Sequence, residues 1–298
     1  MKGIILMAYG SPKSTDQVGE YFTSIRRGKR PSDAEIDELQ RRYLSIGGIS
    51  PLNDITGKQV SMLRESLKSH GSDTKVYVGM KHSSPFIEET AMQIANDGIT
   101  ELLCLPLAPF YSKIGTESYF KQLEESHIGA NVKLKYVKSW HDEPELISYW
   151  SDSVSRAAKD CGVESELVFT AHSLPITDAD NLETYKGQLS EASGLVSRKL
   201  GIDNWSLVFQ SVGMSGGTWL GPVIYDHIKS RISSGSKNFV VAPIGFISDN
   251  LETLYDDGIR CSEIVHKSGG KVAIATSPNY SKELISCLYS ISKRNGFA

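Results

Sequence analysis

The chain reads as an α/β protein with two parallel four-stranded sheets, one in each half. Eight short apolar runs carry this reading: Gly3–Ala8, Lys75–Met80, Leu102–Leu107, Val132–Val137, Glu166–Ala171, Trp205–Gln210, Asn238–Ile244 and Lys271–Thr276. Each is followed by a segment of helical periodicity, and that alternation implies βαβ units with right-handed crossovers. At 298 residues the chain suits two domains of ordinary size. The pattern breaks at Trp140–Pro144, which puts the division at 1–142 and 143–278. The last helix, within 279–298, is read as packing back on the first half.

The bulk composition narrows the function. Hydrophobic residues make up 40% and charged residues 22%, enough for a substantial core. A net charge of -3 argues against a nucleic-acid binder. Cys104, Cys161, Cys261 and Cys287 are far apart with no C-x-x-C, so no zinc knuckle or iron–sulfur site is expected, and a reducing, cytoplasmic setting accounts for free thiols. The N-terminal MKGIILMAYGSPK is a first strand rather than a signal peptide, because its apolar run is short and turns polar at Ser11. No stretch reaches the roughly 20 apolar residues of a membrane span.

In the first half, MAYGSP ends the first strand and sets Tyr9 at its carboxyl edge. Ile25–Pro31, IRRGKRP, puts four cations in seven residues: a solvated helix end, or a patch for carboxylates and phosphates. Arg41-Arg42-Tyr43 precedes IGGISPL, where Ser50 as N-cap and Pro51 at the first position start a helix. Lys81-His82 and Ser118-Tyr119 add polar groups at the same edge.

In the second half, LVFTAHSLP is a buried strand halted at His172, with Pro175 preventing a direct helical continuation. Ligands in open α/β sheets bind beyond the carboxyl ends of strands, so His172 faces a crevice. QSVGMSGGTWLGP lacks dinucleotide or phosphate-loop spacing, which removes NAD and ATP from consideration. After the seventh strand, FISDNLETLYDDGI offers Asp249 or Asn250 as a cap. Glu252 and Asp256 are four apart and face one way, a path for a divalent cation. Asp249 and Asp257 are accounted for by the helix dipole.

MAYGSP, IRRGKRP, RYLSIGGISPL, GMKHSSPFIEE, TAHSLP, WLGP and GFISDNLETLYD together closely resemble the ferrochelatases, in the family's order from about Gly3 to Thr276. Tyr9 in MAYGSP looks like the coproporphyrin III ferrochelatases of Gram-positive-type haem pathways. The resemblance implies two Rossmann-like, chelatase-type domains with a porphyrin cleft between them. It implies insertion of Fe²⁺, a substrate rather than a cofactor, with release of two protons. His172 and Glu252 are then the catalytic pair at the metal, Tyr9 a ligand on the opposite face, and Asp256 an outer path. Tyr9, Ser11, Arg26, Arg27, Arg42, Tyr43, Ser50 and Tyr119 match positions near the porphyrin. The partners implied are the porphyrin and a downstream haem-pathway enzyme, with the chain itself a monomer.

Two departures stand out. Arg260 occupies the position where the family often continues the acidic ladder, so the ladder ends at Asp256. Val212–Thr218 replaces a proline-bearing loop with glycines, which implies a more mobile loop. Other readings are a protoporphyrin IX ferrochelatase, a cobalt or sirohydrochlorin chelatase, a non-catalytic porphyrin carrier, and a binding protein for another anionic ligand.

Overall fold

The computed structural model describes residues 1–298 except His127, Ala130, Val163, Asp178 and 212–217, and leaves aside the side chains of 179–181. The glycine-bearing loop singled out above therefore lies, apart from Ser211 and Thr218, outside the described residues. One unit comprises Met1–Ala108, Lys113–Ser139 and Asn279–Ala298; the other comprises Pro109–Ser112 and Trp140–Pro278.

In the first unit β1 (Lys2–Ala8), β2 (Lys75–Met80), β3 (Glu101–Pro106) and β4 (Lys133–Tyr136) form a parallel sheet in the order β2-β1-β3-β4. The central strand is apolar and buried almost throughout, because crossover helices cover both faces of a parallel sheet. Those helices are α1 (Val18–Ile25), α2 (Asp33–Ser45), α3 (Leu52–Ser69), α4 (Ile87–Asn96) and α5 (Thr116–Glu125). On one face Ile5, Met7 and Leu102 pack with Ile87, Ile94, Phe120 and Leu123. The outer edge of β2 is blunted by side chains: Arg64 Nε donates to Val76 O at 2.9 Å and Thr90 Oγ1 to Val78 O at 2.7 Å.

The C-terminal helix α10 (Lys282–Arg294) belongs to this unit and packs on α3. Its N-cap Ser281 accepts from Leu284 N at 3.2 Å. Past its last turn, Lys135 Nζ donates to Asn295 O at 3.2 Å and Lys2 Nζ to Gly296 O at 2.6 Å, placing cations at the negative pole of the dipole.

The second unit repeats the plan. Strands β5 (Ser165–His172), β6 (Trp205–Gln210), β7 (Asn238–Ala242) and β8 (Lys271–Ile274) lie parallel in the order β6-β5-β7-β8. Helices α6 (Pro144–Cys161), α7 (Ala179–Leu200), α8 (Ile224–Ser233) and α9 (Cys261–Lys267) complete it. A π-helix, Glu252–Arg260, runs directly into α9. The seventh strand stops at Ala242 rather than Ile244, since Pro243 has no N–H for the ladder. The junction falls between Ser139 and Trp140 rather than after Asp142. The cause is burial: Trp140 is 1% exposed, its N–H donates to Pro109 O at 2.9 Å, and the His141 ring tilts against Phe110. No helix among the described residues is long and apolar enough to cross a membrane.

In both sheets the strand order reverses beside the first strand, between β1 and β3 and between β5 and β7. Such switch points open the crevices where α/β proteins bind ligands. Leu284, Cys287, Leu288 and Ile291 of α10 are each 1% exposed or less, so Leu288→Ala should cost about 2–5 kcal/mol in urea unfolding.

Candidate active site

His172 is the last residue of β5, at the switch point of the second sheet. Its backbone is held on every side. Ser173 N donates to Gln210 O at 2.9 Å, Ser173 Oγ to Leu220 O at 2.8 Å, and Tyr185 Oη to His172 O at 3.1 Å. The turn that follows is tied at Pro175, which bridges Trp219, and by Ile176 N donating to Thr218 O at 2.8 Å. The imidazole Nδ1 lies 2.6 Å from Ser173 O. A carbonyl only accepts, so the proton of the neutral ring sits on Nδ1 and Nε2 carries the lone pair. That nitrogen is the one available to a proton or a metal.

Glu252 enters from the next strand over. The chain leaving β7 passes so close to β5 that a Cβ on Gly245 would lie 2.6 Å from Ala171 Cβ and 2.7 Å from Ala171 Cα. Gly245 N donates to Thr170 O at 3.0 Å, which pins the crossing one turn before the helix. Asn250 is the cap: Oδ1 accepts from Thr253 N at 2.9 Å, and Asn250 N donates back to Thr253 Oγ1 at 3.0 Å. Glu252 then opens the π-helix, and its turns, wider than 3.6 residues, stack positions four apart more nearly in line than an α-helix would.

The two carboxylates that follow are both buried. Asp256 is 4% exposed, with Oδ1 accepting from Tyr225 Oη at 2.5 Å and Oδ2 from Ser211 Oγ at 2.8 Å. Arg260 lies 3.9 Å from Oδ1 and stacks on the Tyr225 ring, its Cζ 4.0 Å from the centroid. Asp256 is thus a fully engaged acceptor. Asp257 is not a helix-dipole residue, contrary to the sequence expectation: it lies mid-helix and fully buried. Its Oδ2 accepts from Thr170 Oγ1 at 2.8 Å and distantly from Gln210 Nε2 at 3.4 Å, while Oδ1 has no partner among the described residues. Burial holds its carboxyl well above the usual range against the Thr170 bond, and the charges of Asp256 and Glu252 add to it.

Tyr225, Ser211, Thr170 and Gln210 went unnoticed in the sequence, although Gln210 and Ser211 stand at a strand end where polar residues gather around a site.

In the first unit, Tyr9 follows β1 at the matching switch point and is 40% exposed. Gly10 turns the chain at φ 83°, and a Cβ there would meet Ser83 Cβ at 2.7 Å. Ser11 is buried, its backbone clamped by Asn53, which accepts from Ser11 N at 3.0 Å and donates to Ser11 O at 2.7 Å. His82 packs edge-on to the Tyr9 ring, centroids 4.6 Å apart, and its Nδ1 lies 2.8 Å from Ser24 Oγ. Burial, and then the ammonium of Lys81, push the His82 imidazole down to about 4, so the ring is neutral.

The expected porphyrin contacts divide into engaged and unengaged groups. Arg26 presents both guanidinium nitrogens to Glu35, at 3.0 and 2.9 Å, and stacks on Phe22, so it reaches an anion only by giving up that pair. Arg42 Nε donates to Glu38 at 3.2 Å. Arg27 adopts φ 56°, and no ion pair of its side chain occurs among the described residues. Tyr43 and Tyr119 are buried at 2% and 5% exposure, and burial pushes the Tyr119 phenol up. Ser50 Oγ accepts from Leu52 N at 3.2 Å, so it caps the helix across Pro51.

Two predictions follow from this packing. Gly245→Ala should destabilise the protein by about 1–3 kcal/mol in equilibrium unfolding, because the methyl meets backbone rather than a movable side chain. Asp257→Asn concerns a group whose folded pKa is raised. Its stabilising share is complete below the unfolded value of about 3.9 and is lost as pH rises from there. The asparagine variant should therefore be the more stable protein at pH 7, with the difference closing as the pH falls toward about 4.

Comparison with known proteins places the chain in a family. A family model described as Ferrochelatase matches residues 1–295. The coproporphyrin III ferrochelatase of Oceanobacillus iheyensis is 35% identical over 296 residues, covering 97% of this chain and 95% of that protein. The protein of that name in Bacillus subtilis is 34% identical over 297 residues, covering 97% of this chain and 96% of the other. Among solved structures, SirB from Bacillus subtilis with Fe³⁺ superposes with a TM-score of 0.60 at 14% identity, covering 100% of this chain and 99% of that one. CbiX, described as the terminal enzyme for biosynthesis of siroheme in denitrifying bacteria, gives 0.55 at 11% identity, each chain covered in full at 100%. These structural likenesses speak to the two-domain chelatase fold. With the family model spanning nearly its whole length, the chain belongs to the ferrochelatases, enzymes that insert a metal ion into a porphyrin.

Proposed function

We propose that this chain inserts Fe²⁺ into coproporphyrin III, yielding coprohaem and two protons, in haem biosynthesis. The observation that carries the reading is the 2.6 Å contact of His172 Nδ1 with Ser173 O, which leaves Nε2 as the open nitrogen at the sheet's switch point, beside the strand that leads to Glu252. The substrate follows from the relatives, which are named coproporphyrin III ferrochelatases at about a third identity over nearly the whole chain.

The chemistry asks for two things: removal of two pyrrole protons and exchange of water ligands on Fe²⁺ for ring nitrogens. His172 accepts one proton at Nε2, and the imidazolium that forms keeps its Nδ1–H on Ser173 O. Glu252 supplies a carboxylate for the incoming ion and for onward passage of protons. Tyr9 offers a phenol oxygen as a further metal ligand. Asp256 keeps the helix in register through Tyr225 and Ser211, and Arg260 balances its charge. The four propionates of coproporphyrin suit the cations of the first unit, Arg27 foremost because its fork is not spent on a carboxylate among the described residues. Four buried free thiols suit a reducing, cytoplasmic compartment.

The test is anaerobic Fe²⁺ insertion followed by absorbance, with coproporphyrin III and protoporphyrin IX in parallel. The expected result is insertion that favours coproporphyrin III; insertion into protoporphyrin IX alone would keep the chemistry and overturn the substrate. His172→Ala should lower turnover by about a hundredfold or more while porphyrin binding, read by fluorescence quenching, persists. Undiminished turnover in that variant would remove His172 from the reaction.

A further inference from the structure

Lys81 lies where β2 ends, its N–H donating to Ala8 O at 2.9 Å beside the end of β1. The side chain is half-buried. Its ammonium donates to Ser118 Oγ at 2.7 Å and lies 6.0 Å from the centroid of the Tyr119 ring. Ser118 Oγ donates in turn to Gly115 O at 2.6 Å, so the hydroxyl proton is spent and its lone pairs face Lys81. Both neighbours are neutral.

No carboxylate pairs with Lys81 among the described residues. The charge close enough to act on it is a second cation, Arg27, and burial and Arg27 together depress its hold on the proton. Arg27 itself stands in the left-handed region at φ 56°, where a side chain is strained, in the bend set by Arg27 N donating to Ser24 O at 3.1 Å and Gly28 N to Thr23 O at 2.9 Å. Strain of that kind persists where the surroundings impose it, and it gathers at ligand sites. A half-buried ammonium with one neutral acceptor and a cation beside it is costly to the protein alone. A bound anion would accept the remaining N–H donors and offset both charges.

We propose that Lys81, positioned by Ser118, and Arg27 form a seat for one propionate of the tetrapyrrole, and that this seat favours a ring with four propionates over a ring with two. The inference rests on the ferrochelatase reading and adds a contact to it. A ring with a propionate on every pyrrole fills the seat while its other carboxylates meet Arg42 and the arginine loop. A two-propionate ring that satisfies the arginines leaves Lys81 as it is in the free protein.

The test compares wild type, Lys81→Met and Lys81→Arg as full-length protein, by fluorescence quenching with coproporphyrin III and with protoporphyrin IX and by thermal melting without ligand. Lys81→Met should weaken coproporphyrin III at least tenfold and protoporphyrin IX several times less. The arginine variant should recover most of the coproporphyrin affinity. The melting temperature of ligand-free Lys81→Met should equal or exceed that of wild type, because a lone half-buried charge is gone. A lowered melting temperature with equal loss of both porphyrins would make Lys81 structural and overturn the seat. Unchanged coproporphyrin affinity in Lys81→Met, with wild type still binding and metallating the ring, would also overturn it while leaving the enzyme reading intact. Failure of wild type to bind either porphyrin would overturn both.

Discussion

The close approach of Gly245 to Ala171 is the constraint on which the second unit's chemistry depends. Glycine lets the chain leaving β7 lie against β5 at van der Waals distance, just before β5 delivers His172. The same crossing starts the segment that Asn250 caps and that Glu252 opens. The histidine thus ends one strand and the glutamate opens the helix that follows the neighbouring strand, both placed by the backbone of one sheet. Groups that must take up and release protons and ions are best positioned by something that does not titrate.

Three acidic residues share one π-helix and have three different environments. Glu252 begins it, Asp256 is saturated by Tyr225 and Ser211, and Asp257 is sealed beneath Thr170. The wide turn brings them to one side of the helix, where three charges would repel. The structure relieves this by giving Asp256 its donors and Arg260, and by burying Asp257 where the neutral form is favoured. Glu252 stands apart from both, at the first position of the π-helix.

In the first unit the cations follow a similar division. Arg26, Arg42 and Arg41 face carboxylates of their own chain, and such pairs organise the helix ends of α1 and α2. Among the described residues Arg27 and Lys81 face no such partner, so their charge is available to a ligand. Surface cations usually cost a protein little; a half-buried one beside another cation is a different case, because solvent no longer screens it fully.

The alternation of apolar runs and helical segments was enough by itself to specify eight strands in two parallel sheets, since period and length follow directly from which faces must be buried. TAHSLP and SDNLETLYD drew notice as a strand halted at a titratable residue and a cap followed by acids, and the resemblance to the ferrochelatases then gave His172 and Glu252 their roles. Local signals failed where the deciding partner is distant in the chain. Asp257 looked like any acid near a helix start, yet Thr170, 87 residues away, makes it a buried one. Arg26 and Arg27 are adjacent and alike in sequence; only Glu35 and a left-handed bend separate the engaged fork from the available one. Lys81 carried no signal beyond its position after a strand. Tertiary structure decided these cases because the state of a charge depends on burial and on the groups facing it, and both are set by packing across the fold.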